Sequence, residues 1–423
     1  MLYYARGSKS DVLSPEEVKA ALFGVFDKMG RRSRVLAVPP DYTRLNSFAG
    51  PITGMVQDYY GDALTDVLPA LGTHSPMTAE QIADMFPGVP EEKFRVHDWR
   101  SGVASIGEVP ASYIGQVSEG KLHYSMQAQV NRLLLDPSFD AIFSIGQVVP
   151  HEVIGMANYT KNIFVGVGGS DFINKSHFIG ASYGLERIMG RAESPVRDVF
   201  EYARTHFAAS LPIIYILTVR AREGGEMVTK GLFVGDDFEC FRRASALSLE
   251  TNFIMVEKPI RKCLVWLDPA EFKSTWLGNK AVYRTRMALS DGAELCIMAP
   301  ALKEFGEDAA IDALIRRYGY RGTPHTLAAT EANAELRENL GASAHLIHGS
   351  SEGRFRIIYA PGAEMSRAEI ESVGYEWGDL GELLEKYHPE SLAEGWNTID
   401  GEEIYYISNP ALGLWAHKDR FKD

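Results

Sequence analysis

Short apolar segments alternate with amphipathic segments along the first part of the chain. The residues Ser14-Pro15-Glu16-Glu17 combine a capping box with proline at the first helical position, which predicts a helix over Pro15–Met29. The apolar run at 34–38 is typical of a buried strand. The same criteria predict further strands at 65–71, 94–97, 141–145, 163–167, 213–219 and 231–234, and further helices at 52–60, 79–85, 176–189, 195–206 and 237–256. This alternation indicates an α/β domain with a mostly parallel sheet flanked by helices.

A second α/β unit begins near residue 258, where the alternation starts afresh. Its predicted strands are 262–267, 294–299, 345–348 and 356–359, and its predicted helices are 276–289 and 309–318. We therefore predict two domains, an N-terminal domain over 1–257 and a C-terminal domain over 258–394. The tail, 395–423, can pack back on the first domain.

Composition narrows the expected partners. The chain has 423 residues and a formal net charge of −13, so neither nucleic acid nor an anionic membrane is an expected partner. It contains neither a signal-peptide core nor an apolar run of about 18 residues, and we expect a cytoplasmic protein. Cys240, Cys263 and Cys296 form no CxxC pair and are expected to be buried thiols.

Polar loops follow several predicted strands and contain residues suited to chemistry. Asp41, Thr43 and Arg44 follow the first apolar strand; an arginine fork suits a carboxylate or phosphate, although a solvated turn also explains the cluster. His74 and His151 lie in two further loops of this kind. Neutral imidazole binds transition metals or acts as a base near pH 6.5. These loops are therefore the candidate site.

The segment 146–190 places His151, Lys161 and His177 around a glycine-rich turn at intervals that neither helical nor strand periodicity demands. The turn itself, GVGGSD at 166–171, leads toward a helix, so its backbone amides would suit a phosphate. A tight turn without a ligand fits equally well. Asp171 stands where the dinucleotide fingerprint requires its third glycine.

Several common catalytic motifs are missing from the sequence. It contains no Walker lysine motif, GxSxG elbow or HExxH pair, which argues against the commonest kinases, esterases and metalloproteases. In the second unit, Trp276 and Lys280 share a helical face because they are four residues apart. An ordinary amphipathic helix also accounts for that pair.

Taken together, these residues resemble the ordered motifs of the lactate racemase family, whose members carry a nickel-pincer nucleotide. DYTR at 41–44 resembles the family's DxTR, and GTH at 72–74 resembles its GxH. His151, Lys161 and His177 follow in the family's order and intervals, and the segment 276–280 resembles its aromatic-to-lysine segment. The resemblance implies an N-terminal cofactor-binding domain, a second α/β domain and an active site in the cleft between them.

The resemblance also implies an activity and a role for each matching residue. The activity would be isomerisation of a 2-hydroxy acid: one histidine takes the hydroxyl proton, the cofactor accepts hydride, and the planar keto acid is reduced from either face. Proteins that make the cofactor would be partners. Lys161 would hold the cofactor through a thioamide, and His177 would ligate nickel. His74 and His151 would be paired acid/base groups, and the substrate would be engaged by Arg44, Lys280 and Trp276. The cofactor pocket would be lined by Asp41, Thr43, Gly168 and Gly169.

Three positions depart from the family pattern; the first bears on where a cofactor phosphate would bind, and the other two bear on the substrate. ANYT at 157–160 stands where the family has glycines and a basic residue, Ser75 stands in place of an arginine, and Leu277 stands in place of a glutamine. We therefore expect a 2-hydroxy acid other than lactate, such as a sugar acid. Two alternatives stay open: a metal-dependent hydrolase or lyase with histidine-bound zinc, and a cofactor-binding protein without catalysis.

Overall fold

The computed structural model describes residues 1–224 and 226–421, and these form two compact units. The first unit consists of Met1–Ile179 and Ile188–Asn252. The second consists of Gly180–Arg187 and the chain from Phe253 onward. The division after Asn252 lies a few residues before the predicted boundary at 257.

A largely parallel sheet forms the centre of the first unit. The strands of this unit are β1 (Leu2–Gly7), β2 (Val35–Val38), β3 (Leu64–Val67), β4 (Val103–Val109), β5 (Met126–Asn131), β6 (Ala141–Gln147), β7 (Pro150–His151), β8 (Gly155–Met156), β9 (Ile213–Glu223) and β10 (Glu226–Gly235); β4–β5 and β7–β8 form separate two-stranded sheets. The six-stranded sheet has the order β1-β10-β9-β6-β2-β3. Strands β9, β6, β2 and β3 run parallel to one another, whereas β10 pairs antiparallel with both of its neighbours, β9 and β1. All four residues of β2 are buried, as expected for a central parallel strand.

Helices flank this sheet, and three of them begin at side-chain caps, at Ser14, Thr78 and Ser194. The helices in this part of the chain are α1 (Pro15–Met29), α2 (Ala49–Tyr60), α3 (Ala79–Met85), α4 (Ala111–Val117), α5 (Ser170–Tyr183), α6 (Leu185–Ile188), most of which belongs to the second unit, α7 (Pro195–Phe207) and α8 (Phe238–Asn252). The predicted start of α1 is confirmed: Glu17 N–H donates to the Ser14 hydroxyl, and the Glu17 carboxylate accepts from Ser14 N–H. Leu22 and Phe26 on its inner face are fully buried in the core.

The second unit is also an α/β sheet structure. Its strands are β11 (Ile254–Val256), β12 (Ile260–Trp266), β13 (Leu289–Ala299), β14 (Arg356–Pro361), β15 (Glu376–Trp377), β16 (Gly395–Ile399), β17 (Glu402–Ile407) and β18 (Trp415–His417), and its helices are α9 (Thr275–Gly278), α10 (Lys280–Thr285), α11 (Ala309–Tyr318), α12 (Thr323–Ala332), α13 (Ala334–Glu338), α14 (Leu340–His348), α15 (Arg367–Ser372) and α16 (Leu380–Tyr387). The sheet order is β15-β14-β13-β12-β17-β16, parallel except for the last pair. The predicted fold class, two α/β domains with mostly parallel sheets, is confirmed.

Three predicted strands have a different structure. The run 163–167 belongs to a π-helical turn, Asn162–Gly166, because Val167 N–H bonds back to Asn162 O at 3.0 Å. The run 345–348 is the end of α14, and such short apolar runs do not distinguish strand from helix. At 94–97 only Phe94 forms a bridge, to Val67.

The tail and two further strand regions also differ from the prediction. The tail from residue 395 forms β16 and β17, and β17 pairs with β12 through Cys263 and Tyr405. It therefore extends the sheet of the second unit instead of packing on the first. Strand β1 and the antiparallel pair β4–β5 were not predicted, although the alternation of apolar and polar residues in β5, MQAQVN, is typical of a strand.

Two expectations from composition can be compared with the structure. Within the described part of the chain, no helix combines the length and apolar character needed to cross a membrane. Cys240, Cys263 and Cys296 are buried free thiols, as expected. Burial raises the pKa of Cys263 well above its ordinary value, so it is a poor nucleophile.

Candidate functional site

A cavity of about 320 Å³ lies beyond the carboxyl ends of β2, β3 and β6. Parallel strands deliver the loops that follow them to the same edge of a sheet, which is where ligands of open α/β sheets bind. The cavity wall is formed by residues of the first unit: Pro40, Asp41, Thr43, Arg44, Ser47, Ala70, Leu71, Gly72, Thr73, His74, Gln147, Val149, His151, Ala157, Asn158, Lys161, Asn162, Val165, Gly166, Ile173 and His177. The structure thus brings the predicted histidines, lysine and arginine of this unit together.

Asp41 and His74 form a hydrogen-bonded pair across two loops. Asp41 is buried, whereas the His74 side chain is 59% exposed. His74 Nδ1–H donates to Asp41 Oδ2 at 2.6 Å, and the Thr43 hydroxyl donates to the other carboxylate oxygen. The hydrogen bond to Asp41 raises the pKa of His74. Burial acts to raise the pKa of Asp41, but the hydrogen bonds from His74 and Thr43 outweigh it, and the pKa of Asp41 is lowered. Neutral His74 therefore has a free lone pair on Nε2 and can accept a proton.

His151 has the opposite protonation preference. It ends β7, and its side chain is 13% exposed. Val153 N–H donates to His151 Nδ1 at 3.1 Å, so the neutral ring carries its proton on Nε2. Burial lowers the pKa of His151 well below its ordinary value; the Glu152 charge opposes this, and the Lys161 charge adds to it. Near neutral pH His151 is therefore an uncharged hydrogen-bond donor.

Lys161 lies at the start of the π-helical turn, which is held against two strand ends. The neighbouring Asn162 side chain is buried, and its Nδ2 donates to Val38 O at 2.9 Å and to Ser144 Oγ at 3.0 Å. These bonds connect the turn to β2 and β6. Since π-helical turns interrupt regular bonding, they occur often at functional sites.

The environment of Lys161 makes its amine unusually reactive. Burial lowers the pKa of Lys161 from 10.5 to about 8, and the positive charge of Arg44 contributes to the lowering. A lysine with this pKa is partly neutral near pH 8, and only the neutral amine is nucleophilic. Lys161 is therefore suited to covalent attachment of an electrophilic group.

His177 can act as a single metal ligand. Its Nδ1–H donates to Ile173 O at 2.6 Å within α5, which leaves Nε2 as a lone-pair donor. Burial, followed by the Lys161 charge, lowers the pKa of His177 and favours the neutral form that binds metals. Over residues 1–224 and 226–421, no three His, Cys, Asp or Glu side chains are grouped so as to hold a metal ion. Catalytic zinc usually takes three protein ligands. His177 is a single ligand, so a metal bound there would need its other ligands from a cofactor.

The two predicted cofactor-binding glycines are closely packed. The described part of the cavity wall does not include Gly168 or Gly169. The Gly168 carbonyl accepts from His97 Nε2–H at 3.0 Å, and its amide points to Val165 O. A side chain at Gly169 would clash, because its Cβ would lie 2.2 Å from the Gln129 side-chain amide oxygen. Their contact with the cofactor stays a prediction.

Trp276 and Lys280 lie in the second unit. They occupy the short helices α9 and α10, which replace the single helix predicted at 276–289. The Trp276 ring lies 4.2 Å from the His345 ring, centroid to centroid, and Lys280 Nζ is 3.4 Å from a Glu271 carboxylate oxygen. Their predicted contact with the substrate stays a prediction.

Sequence reasoning missed two features of the site. The motif residues Asp41 and His74 were both identified, but their direct hydrogen bond was not, because they lie in different loops. Asn162 was not considered, although an amide directly after Lys161 in an otherwise apolar run (IFV) is a signal for a buried hydrogen-bonding role.

Comparison with known proteins identifies the type of domain that contains the cavity. Residues 25–184 match the model of the lactate racemase N-terminal domain, and this span contains every residue of the cavity wall. No curated protein matches the chain.

Two solved structures are similar over nearly the whole chain. A protein from Thermotoga maritima is 22% identical, with a TM-score of 0.75, covering 97% of this chain and 99% of that one. The lactate racemase apoprotein from Thermoanaerobacterium thermosaccharolyticum is 16% identical, with a TM-score of 0.68, covering 97% and 94%. At these identities the likeness establishes the fold.

The match to the lactate racemase N-terminal domain, together with histidines, a lysine and an arginine around one cavity, supports a racemase-type enzyme. Residues 25–184 therefore form a domain of the lactate racemase N-terminal type, in agreement with the family that the ordered motifs predicted.

Proposed function

We propose that this protein is an isomerase, a racemase or epimerase that inverts C2 of a 2-hydroxy acid with the help of a nickel-pincer nucleotide. One observation carries the proposal: a single cavity contains two histidines with opposite protonation preferences, His74 and His151, beside a reactive amine and a third histidine. Inversion at C2 requires proton exchange with the substrate oxygen on both sides, and two distinct imidazoles can provide it.

The residues present fit the proposed cofactor. The Lys161 amine, with its pKa near 8, is suited to a thioamide bond, and His177 Nε2 is free to ligate a metal that brings its other ligands with it. When bound, the cofactor supplies a reversible hydride acceptor, which avoids removing the weakly acidic C2 hydrogen as a proton. In our proposal, Asp41 and Thr43 serve this pocket by orienting His74, and Gly168 and Gly169 shape it through packing.

His74 is the proton acceptor in the proposed reaction. Its Nε2 lone pair takes the hydroxyl proton of one enantiomer, and the Asp41 carboxylate stabilises the imidazolium that forms. The same carboxylate fixes the ring, because Nδ1–H is held at 2.6 Å. His74 can return this proton when the reaction runs backward.

His151 is the proton donor on the other side. In the unloaded protein it is neutral, with the proton on Nε2. Acylation of Lys161 removes a positive charge that lowers the pKa of His151, and a bound carboxylate adds an opposite charge. Both changes favour uptake of a proton at Nδ1, and the imidazolium so formed would deliver the Nε2 proton to the substrate oxygen.

Arg44 is the proposed carboxylate-binding residue of the cavity. It is exposed, and within the described residues it forms no ion pair, so its guanidinium fork is available to the substrate. Ser75, beside His74, is small and exposed, which leaves room for a substrate longer than lactate, such as a sugar acid. The assignment of Lys280 and Trp276 as further substrate contacts rests on the motif resemblance.

The proposal is tested by co-expression with the proteins that make the cofactor. We expect about one nickel per chain, added mass on the Lys161 peptide and inversion at C2 of at least one acid in a screen of 2-hydroxy and sugar acids. His74→Ala and His151→Ala should abolish inversion and retain nickel, whereas His177→Ala should lose nickel. An unmodified Lys161 under these conditions would refute the cofactor assignment.

The same experiment distinguishes the two alternatives. Retained zinc with hydrolytic or lyase activity and no nickel requirement would identify the metal-dependent hydrolase or lyase, although the described residues offer no three-ligand cluster. Modified Lys161 and bound nickel without exchange at C2 of any acid would identify a non-catalytic cofactor-binding protein.

A further inference from the structure

We propose that Arg197 is a positioning residue for Lys161, a buried guanidinium that holds the preceding loop, 157–160, and so sets the position and environment of the lysine amine. The inference rests on the proposed function only in giving Lys161 its role as the attachment residue. It explains how a chain with ANYT in this loop keeps the lysine in place.

The contacts of Arg197 converge on this loop. Arg197 lies in the first turn of α7 and is 1% exposed. One terminal nitrogen donates to Thr160 Oγ1 at 2.7 Å and to Asn158 O at 3.4 Å, and the other donates to Met156 O at 2.7 Å. The guanidinium carbon lies 4.2 Å from the centroid of the Phe241 ring. A planar group with several fixed donors is suited to spanning such separate acceptors.

The loop needs anchors because its backbone conformation is unfavourable. Asn158 and Tyr159 have φ values of 68° and 60°, in the left-handed region that residues with side chains rarely adopt. The Tyr159 ring is completely buried, 5.0 Å from Phe241 and 4.2 Å from Tyr215 between centroids. Arg197 adds hydrogen bonds on both sides of the two strained residues. Without them, the loop and the adjoining Lys161 would relax toward ordinary geometry.

Arg197 also affects Lys161 through charge. Its positive charge is among the causes that lower the pKa of Lys161, after burial and Arg44. A buried cation is costly to keep unless it is well hydrogen-bonded, and burial lowers the pKa of Arg197 itself to about 10. Geometry and charge are separable by experiment, because lysine at this position keeps the charge but cannot make the same spanning contacts.

The test uses the full chain without cofactor and compares Arg197→Lys, Arg197→Met and a control, Arg204→Met. Arg204 lies on the same helix and pairs with Glu201 at 2.9 Å. Two readouts are measured: amide hydrogen exchange of 157–161, and acetylation of Lys161 by acetic anhydride as a function of pH, with Lys175 as the internal reference. Thermal unfolding shows whether each variant folds. If Arg197→Met does not fold, the test is carried out with Arg197→Lys, which is the milder change.

In both Arg197 variants, amide hydrogen exchange of residues 157–161 should be faster by about tenfold or more. The reason is that opening the loop no longer requires breaking hydrogen bonds to the guanidinium. The neutral fraction of Lys161 at pH 7 should fall about threefold or more, because a mobile lysine gains access to water. Arg204→Met should change neither.

Two results would overturn the proposal. One is behaviour of both Arg197 variants like that of Arg204→Met. The other is a result in which hydrogen exchange of the loop is unchanged in both variants and Lys161 acetylation changes only in Arg197→Met. That result would show that Arg197 acts through its charge alone. Neither readout requires nickel or turnover, so failure here is distinct from failure of the isomerase proposal.

Discussion

Replacing Lys161 with methionine should stabilise the unloaded protein at neutral pH. Methionine has a similar length and no charge, so Lys161→Met keeps the packing and removes the partly buried ammonium. The folded protein lowers the pKa of Lys161 from 10.5 to about 8. Since one pKa unit corresponds to about 1.4 kcal/mol, the charge costs about 3 kcal/mol of folding free energy below pH 8. Relaxation around the site reduces the expected gain to about 2 kcal/mol.

The sign of the pH dependence follows from proton binding. Between pH 8 and about 10.4 the unfolded chain binds more protons at this lysine than the folded protein does, so wild-type stability rises with pH in that window. The advantage of Lys161→Met should therefore be full below pH 8 and disappear as pH approaches 10.4. The assay is urea unfolding at several pH values, with the variant and the wild type measured in parallel.

A matched control and a clear contrary result are available. Lys175 lies in the same unit but is paired with Asp171, so Lys175→Met should give no gain in stability at neutral pH. If Lys161→Met were no more stable than wild type at pH 7, or if its advantage were the same at pH 7 and pH 10, Lys161 would not be a destabilised buried amine.

Three further outcomes are expected. Asp41→Asn should reduce inversion by about 10²–10⁴-fold in the loaded enzyme, because His74 loses the carboxylate that stabilises its imidazolium, and the NMR-measured pKa of His74 should fall; an unchanged pKa would contradict the pairing. His177→Ala should retain the added mass on Lys161 but lose nickel, as shown by mass spectrometry and metal analysis. Asn162→Ala should lower the unfolding free energy by about 1–3 kcal/mol, since two buried partners lose their donor; a loss below about 0.5 kcal/mol would argue against that role.

The asymmetry of His74 and His151 has a consequence for catalysis. His74 is stabilised as a cation by Asp41, whereas the unloaded protein disfavours a charged His151. The Lys161 charge lowers the pKa of both rings. In our proposal, loss of that charge when the cofactor is attached would therefore make both imidazoles easier to protonate.

Most of the regular elements could be predicted from the sequence, because their signals are local. The capping box at Ser14 and the periodicity of 309–318 depend only on neighbouring residues, and both helices have the predicted bounds. The prediction was wrong at 163–167 and 345–348, where short apolar runs are compatible with several backbone conformations. Tertiary packing decided those conformations.

The sequence by itself determined which residues reach the cavity wall, since motifs after parallel strands arrive at one edge of a sheet. Only the tertiary structure decided how they act together. It paired Asp41 with His74, buried Lys161 beside Arg44, and placed Arg197 from a later helix under the lysine loop. Hydrogen bonding, burial and charge act through space between residues far apart in the chain, so no spacing along the sequence encodes them directly.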